Sequence, residues 1–311
     1  MNTLRTPPEP KRISALAAGL LGTRITEATP LPLSYGNVAW RVETSGGARY
    51  VVKFGDPRSE AKWRSAHRAL ELAGSVGVLV APLVEVSRDG DRLVRVFEWV
   101  EGATPSAATM DAVAVRRFFS ELGAAVRALH GIELDAFSSR MDDSAPSFAR
   151  WSEYVRYRLA AIAGRCRATG ALDEDDVRQT CAVAEQLAHE VDDVARPTLS
   201  HRDLHADNLL VDPDTGRLAA ILDFDMAERW DLAADFDKLD RMLIAAFPAA
   251  AGDAFDAACR AGEPRPPRWD ERVRLVALIE AFNTLPNAIV SGWKTEYAED
   301  ARRRLMELIR R

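Results

Sequence analysis

The stretch from 201 to 225, HRDLHADNLLVDPDTGRLAAILDFD, constrains this chain more than any other. A His-x-Asp-x-x-x-x-Asn cluster (His201, Asp203, Asn208) stands fifteen residues ahead of an Asp-Phe-Asp triplet (Asp223, Phe224, Asp225). An apolar run, Leu209 to Val211, follows the cluster, and a second, Leu218 to Leu222, precedes the triplet. Between them, Asp212-Pro213-Asp214-Thr215-Gly216 is built from turn-forming residues. The order predicts loop, strand, tight turn, strand, loop. A hairpin of this kind brings its two open ends together, so the acids and the amide at those ends meet.

That meeting suits one chemistry. Moving the γ-phosphoryl of ATP requires a carboxylate to orient the attacking hydroxyl and oxygen ligands to hold Mg²⁺ against the phosphates. Asp203 is the candidate catalytic carboxylate. Asn208 and Asp223 are the candidate metal ligands, since Mg²⁺ takes few protein oxygens and completes its shell with phosphate and water.

At these residues the sequence resembles the protein-kinase-like superfamily, HRDLHADN being similar to the catalytic loop and DFD to the metal-binding triplet. The continuation AERWDLAADFDKLDRML resembles the aminoglycoside phosphotransferase family, in which a second acidic motif and a helix follow closely. Protein kinases instead insert a long activation segment ending in Ala-Pro-Glu, a triplet this sequence lacks. The resemblance implies an α+β, bilobal protein-kinase-like fold. A small N-terminal antiparallel β-sheet lobe would span residues 1–101, with a hinge at 97–102, and a larger, mainly helical C-terminal lobe would span 102–311. It matches Asp231 and Asp235 to the family's downstream acids, Asp235 holding the catalytic loop. His201 reads as structural, and Asp207 and Asp225 read equally well as loop acids. Arg202 departs from the Gly usual in antibiotic phosphotransferases, and His205 stands where protein kinases place Lys.

The N-terminal part fits this scheme. A short helix is expected over 13–21. Val38 to Thr44 and Tyr50 to Phe54 read as strands joined by a Ser45-Gly46-Gly47-Ala48 turn. Pro32 to Asn37 occupies the position of a nucleotide-binding loop, with Ser34, Gly36 and Asn37 as candidate contacts. Strand alternation gives Lys53 and Val51 a common face, and a lysine there needs a counter-charge or a phosphate. By resemblance, Lys53 contacts the α- and β-phosphates. Glu60, opening a helix over about 59–73, is its expected ion-pair partner, and the alternative is that Glu60 only complements the helix dipole. Val78 to Val86 and Leu93 to Phe97 read as further strands. Phe97 to Gly102 resembles the superfamily hinge, with the Glu98 carbonyl and the Val100 amide set to meet the adenine edge.

Downstream the pattern turns helical. Val115, Phe118, Leu122, Val126 and Leu129 share one helix face, and Gly131 reads as its C-cap. His130 reads as a helix-end residue. Residues 148–193 are mostly helical, and helices are expected around 238–247, 272–285 and 296–310. Acceptor-site candidates are Asp231, Glu296 and Glu299 for ammonium groups, and Trp230, Trp293 and Tyr297 as cation–π or stacking surfaces. Each has an alternative reading as a packed aromatic or a solvated acid.

Composition sets the outer bounds. A formal net charge of -6 over 311 residues argues against a nucleic-acid partner. Cys166, Cys181 and Cys259 are scattered and propose neither a disulfide framework nor a zinc site. No stretch in this reading approaches the length of apolar residues needed to cross a membrane. The expectation is a cytoplasmic monomer or homodimer, with ATP and Mg²⁺ as cofactors and a small-molecule hydroxyl as acceptor. That acceptor is either an antibiotic, an aminoglycoside or a relative, or a metabolite of the choline, homoserine or sugar type. A catalytically silent, nucleotide-binding pseudokinase is the alternative from another class, and a Ser/Thr protein kinase would use the same cluster.

Overall fold

The computed structural model describes residues 9–32, 38–292 and 295–310. Helix α1 (Pro10–Leu21) has proline in its first turn, where no amide donor is required, and buries Ile13 and Ala17. Strands β1 (Ile25–Pro30), β2 (Val38–Thr44) and β3 (Arg49–Gly55) follow as an antiparallel meander. Helix α2 (Glu60–Ser75) then crosses to the hairpin of β4 (Leu83–Asp89) and β5 (Arg92–Glu98), completing a sheet of order β1-β2-β3-β5-β4. Alternation in VAWRVET puts Val38, Trp40 and Val42 inward, and these pack with Val52, Phe54, Val94 and Val96 against α1. Strand β1 adds an element that the pattern of residues does not announce. It is an edge strand, only half-buried, with a register shift near its start, so its sequence carries no clean alternation. Residues 78–82, expected as strand, form a connector leading into β4.

The second lobe is mostly helical. Asp111 caps α3 (Ala112–His130) by accepting from the amides of Val113 and Ala114, and the expected apolar face buries Phe118, Leu122, Val126 and Leu129. Two short strands, β6 (Phe137–Ser138) and β7 (Ser147–Phe148), precede α4 (Trp151–Thr169) and α5 (Glu174–Glu190). After β8 (Pro197–Ser200) come the hairpin strands β9 (Leu209–Val211) and β10 (Leu218–Ile221), then β11 (Glu228–Asp231). Strands β7, β6, β11 and β8 form a four-stranded sheet beneath the 201–208 loop. Helices α6 (Phe236–Met242), α7 (Ala249–Arg260), α8 (Trp269–Ser291) and α9 (Thr295–Arg310) close the chain. The helix expected over 238–247 stops at Met242, and α7, which has no counterpart among the expected helices, packs Ala251, Ala254, Phe255 and Cys259 against α3. Helix α8 corrects the reading of hydropathy: its 23 residues have the length and apolar character of a membrane span. More than half of the helix is buried inside the protein, packed against α4, α5 and α9.

The β9–β10 hairpin is fastened both to the chain just past the hinge and to the α2–β4 connector of the sheet lobe. Val211 exchanges backbone hydrogen bonds with Ala103, each 2.9 Å, and the Ile221 amide donates to the Leu79 carbonyl at 2.8 Å. Gly102 makes the first of these possible. Its φ is 150°, a conformation open to glycine, and a Cβ there would stand 3.0 Å from the Val211 carbonyl oxygen.

Candidate active site

The loop between β8 and β9 is held in place by groups that face away from solvent. Asp235, at the start of α6, accepts from the Arg202 amide through Oδ1 (2.6 Å) and from the His201 amide through Oδ2 (3.2 Å). His130 Nε2, at the end of α3, lies 2.8 Å from the same Oδ2. Burial pushes the Asp235 carboxyl up, and His130 outweighs it, leaving the group below the usual carboxylate range. His201 is fully buried, donates from Nε2 to the Leu222 carbonyl at 2.9 Å and packs edge-on against Phe224. The loop is thereby bonded to α6 and to the end of the hairpin at once.

Arg202 explains its own departure from glycine. Its φ of 64° lies in the left-handed region. That conformation costs a side-chain-bearing residue about 1–2 kcal/mol. The guanidinium is buried, lies 3.8 Å above the Trp230 ring, contacts Glu228 at 2.6 Å and pairs with Glu280. Tyr154 donates to Glu228 at 3.0 Å, and Trp230 Nε1 donates to the Tyr154 oxygen at 2.6 Å. Two carboxylates thus hold the arginine where a glycine would otherwise relieve the backbone.

At the mouth of this loop, Asp203 is partly exposed. Lys238 Nζ, from α6, donates to Asp203 Oδ1 at 2.8 Å and to the Arg202 carbonyl at 3.2 Å. The Asn208 amide donates to the Asp203 carbonyl (2.8 Å) and to Oδ2 (3.2 Å). His205 Nδ1 accepts from the Asp207 amide at 3.3 Å, and its Nε2 lies 3.1 Å from the Asn208 amide nitrogen. That Nε2 faces Asp203 Oδ2 at 3.7 Å, beyond hydrogen-bond reach. Burial raises the Asp203 carboxyl, but His205 and the Lys238 ammonium together hold it far below the usual range. At 2.8 Å the lysine is the stronger contact.

Asp223 follows β10 with a left-handed backbone (φ 59°, ψ 66°), which turns it away from the strand direction. Because the Leu222 amide donates to the Asn208 carbonyl at 2.8 Å, Asp223 and Asn208 lie at the same end of the hairpin. Asn208 commits its amide nitrogen to Asp203, which leaves its oxygen for a cation. Among the described residues no three His, Cys, Asp or Glu side chains cluster as a metal cage. The donor set is therefore an amide oxygen plus one carboxylate, which fits Mg²⁺ completed by phosphate and water and not an all-protein cation site. Across the cleft, Lys53 Nζ on β3 lies 2.9 Å from Asp223 Oδ1 and 3.3 Å from Asp225 Oδ2.

A family model described as the phosphotransferase enzyme family matches residues 27–272. The chain belongs to that family. No curated protein matches it in sequence. Among solved structures, it is similar to a Thermobifida fusca protein described as a fructosamine-3-kinase, with 22% identity, TM-score 0.68, and coverage of 94% of this chain and 98% of that one. A macrolide 2'-phosphotransferase from Brachybacterium faecium aligns at 18% identity and TM-score 0.62, covering 96% and 98% of the two chains. A thermostable aminoglycoside phosphotransferase mutant, solved with ADP and hygromycin B, aligns at 16% identity and TM-score 0.68, again over 96% and 98%. These likenesses support the bilobal, kinase-like fold.

This phosphotransferase brings Lys53, Asp203, Asn208 and Asp223 to one cleft, but it does not bring in every candidate. Ser34, Gly36, Asn37 and Trp293 lie outside the described residues. Glu60 is not the partner of Lys53. It sits at the first turn of α2 on the exposed side, pairing with Arg88 and, at 3.8 Å, with Arg64. Asp231 does not face an acceptor either: it is buried and receives Arg272 Nη2 at 2.7 Å and Nε at 3.0 Å. Trp230 is fully buried in the core beneath Arg202. Glu296 and Tyr297 are exposed in the first turns of α9. At the hinge, the Glu98 amide donates to the Pro82 carbonyl (2.9 Å) and the Trp99 amide to the Arg49 carbonyl (3.0 Å), so the chain leaves the sheet between Glu98 and Val100. Two residues of the site, Lys238 and Arg95, carry no assignment from sequence reasoning, and Asp225, which read equally well as a loop acid, joins them. Arg95 does leave a signal, a charge set between Val94 and Val96 in the apolar middle of its strand.

Proposed function

We propose that the protein is an ATP- and Mg²⁺-dependent kinase that phosphorylates a hydroxyl of a small, oxygen-rich molecule. One observation carries this reading: Asp203, Asn208 and Asp223 converge at the open end of one hairpin, with Lys53 reaching Asp223 from the sheet lobe. A pseudokinase would be expected to lack one of these four groups. The adenine edge meets the backbone at Glu98 and Val100. Lys53 binds the α- and β-phosphates. Asn208 and Asp223 would hold Mg²⁺, which neutralises charge on the phosphates when bound. Asp203 accepts the hydrogen bond of the acceptor hydroxyl and aims it in line. In a loose transition state little basicity is required, so a carboxylate already paired with Lys238 is adequate. Lys238 adds fixed positive charge beside the transferring group.

A metabolite or sugar acceptor is favoured over a polycationic antibiotic. Asp231, which could have met a substrate ammonium, is consumed by Arg272, and Asp237 on α6 is consumed by Arg304 and Arg241. The likeness to a protein described as a fructosamine-3-kinase points the same way. Cytoplasmic ATP and Mg²⁺ agree with a cytoplasmic location. The test is acceptor-dependent ADP release from ATP and Mg²⁺ with sugars, fructosamines, amino alcohols, aminoglycosides and macrolides, using Asp203→Asn as the blank. Phosphorylation of a sugar or fructosamine supports the reading. Turnover of aminoglycosides alone restores the antibiotic reading, and labelling of a peptide panel instead overturns the small-molecule one.

A further inference from the structure

Lys53 is anchored from the far side of the cleft. Asp225, two residues beyond the candidate metal ligand Asp223, is gripped by Arg95 of β5, whose Nη1 and Nη2 each lie 2.8 Å from one carboxylate oxygen. Both side chains are nearly buried, at 1% and 9% exposure. The guanidinium plane lies 3.7 Å over the Trp63 ring of α2. Trp63 reaches that place because residue 55 is glycine: a Cβ there would stand 2.1 Å from the indole. The buried face of α2 is Trp63, Ser65, Ala66, Ala69 and Ala73, with no carboxylate. Its two glutamates are turned outward, Glu60 to Arg88 and Glu71 to Arg68. The helix therefore offers the cleft an aromatic surface that covers Arg95, and the carboxylate that meets Lys53 comes from the metal loop.

We propose that Asp225, locked by Arg95, is the residue that positions Lys53 for the nucleotide phosphates. The proposal rests on the kinase reading above. Asp225 gives Lys53 a partner of its own, so Asp223 is free to bind another ligand without stranding the ammonium. Because Arg95 belongs to the sheet lobe and Asp225 to the hairpin of the helical lobe, the same bidentate pair fixes the lobes relative to each other. Helix α2 then acts on Lys53 only through Trp63 and Arg95, not through a carboxylate of its own.

The test compares Glu60→Gln with the double variant Arg95→Met/Asp225→Asn, which removes both buried charges together so that neither is left unpaired. Calorimetric titration with ATP and Mg²⁺ gives the nucleotide affinity. Hydrogen exchange at the Ile221 amide, which donates to Leu79 of the sheet lobe, reports the fastening of the lobes, and the melting temperature reports folding. Expected is an ATP affinity within about twofold of wild type for Glu60→Gln and about tenfold weaker for the double variant, the worth of one charge-assisted bond. The same double variant should exchange faster at that amide. A double variant that is folded and binds ATP like wild type overturns the positioning role, and so does equal weakening by Glu60→Gln. Wild-type protein that ignores ATP overturns the kinase reading instead. The exchange rates still decide the clamp in that case, since unchanged exchange in the double variant removes it.

Discussion

Lys238 Nζ lies 2.8 Å from Asp203 Oδ1, so the candidate catalytic carboxylate is ion-paired within the protein itself. The ammonium is supplied by α6, whereas the catalytic loop itself carries His205 at the place where protein kinases carry lysine. Replacing Lys238 by Met should lower kcat by about 10- to 100-fold, the range of one charge-assisted hydrogen bond, while ATP affinity stays within a few-fold. Lys238→Arg should recover part of the loss. Steady-state kinetics with a turned-over acceptor checks both.

Asp203→Asn should cut kcat by about 10²–10⁴ and leave ATP binding nearly intact. The pH profile carries a second expectation. The folded-state pKa of Asp203 is depressed, so the stability it contributes is present above the unfolded value and is lost only as pH falls through the folded one. Wild-type kcat should therefore show no acidic limb from Asp203 above about pH 4. A limb between pH 5 and 7 that disappears in Asp203→Asn would contradict the pairing.

Asp240, on the same helix, behaves oppositely. Partial burial and the neighbouring Asp237 carboxylate push its carboxyl up to about 6, against Arg265. An acid with a raised folded value stabilises at pH below its unfolded value and loses that contribution as pH rises through the folded one. Asp240→Asn should raise the melting temperature at pH 8 and leave it unchanged at pH 3.5. The residue keeps much of its surface in solvent. Screening there holds the gain below about 1 kcal/mol.

Arg202→Gly should destabilise, even though it removes a left-handed backbone strain. Glu280 would be left buried without its cation, and Glu228 would keep as cation only Arg158 at 3.5 Å. Stranding Glu280 costs about 3–5 kcal/mol. Denaturant unfolding measures this. A variant as stable as wild type would show that the backbone strain outweighs the ion pairs.

The hairpin, its acidic ends and the long face of α3 were legible because each is local: turn residues at a fixed place, alternation of two, or a spacing of three and four. The same rules could not reach Glu60. Its role depended on which way α2 rolls, and that is set by Gly55 admitting Trp63, a contact between two elements. Asp231 misled for a related reason. An acid in a motif looks available until its partner appears, and Arg272 comes from a helix 41 residues further on. Lys238 carried no signal as a site residue and Arg95 only an unexplained charge in a strand, because only tertiary packing brings them to Asp203 and Asp225. Strand β1 lacked alternation because it lies at a sheet edge, and α7 was overlooked because its apolar face, Ala251, Ala254, Phe255 and Cys259, is built mostly of small side chains.

Helix α8 has one more consequence. It leaves the ribosome as a greasy segment ahead of α9, whose Ala301, Leu305, Leu308 and Ile309 belong to the same interior cluster. Until those side chains dock, a nascent chain exposes a surface that chaperones and membrane-targeting factors both recognise. Ribosome stalling or a premature stop between the two helices would therefore send this enzyme toward aggregation or mistargeting, with its catalytic loop and hairpin already synthesised.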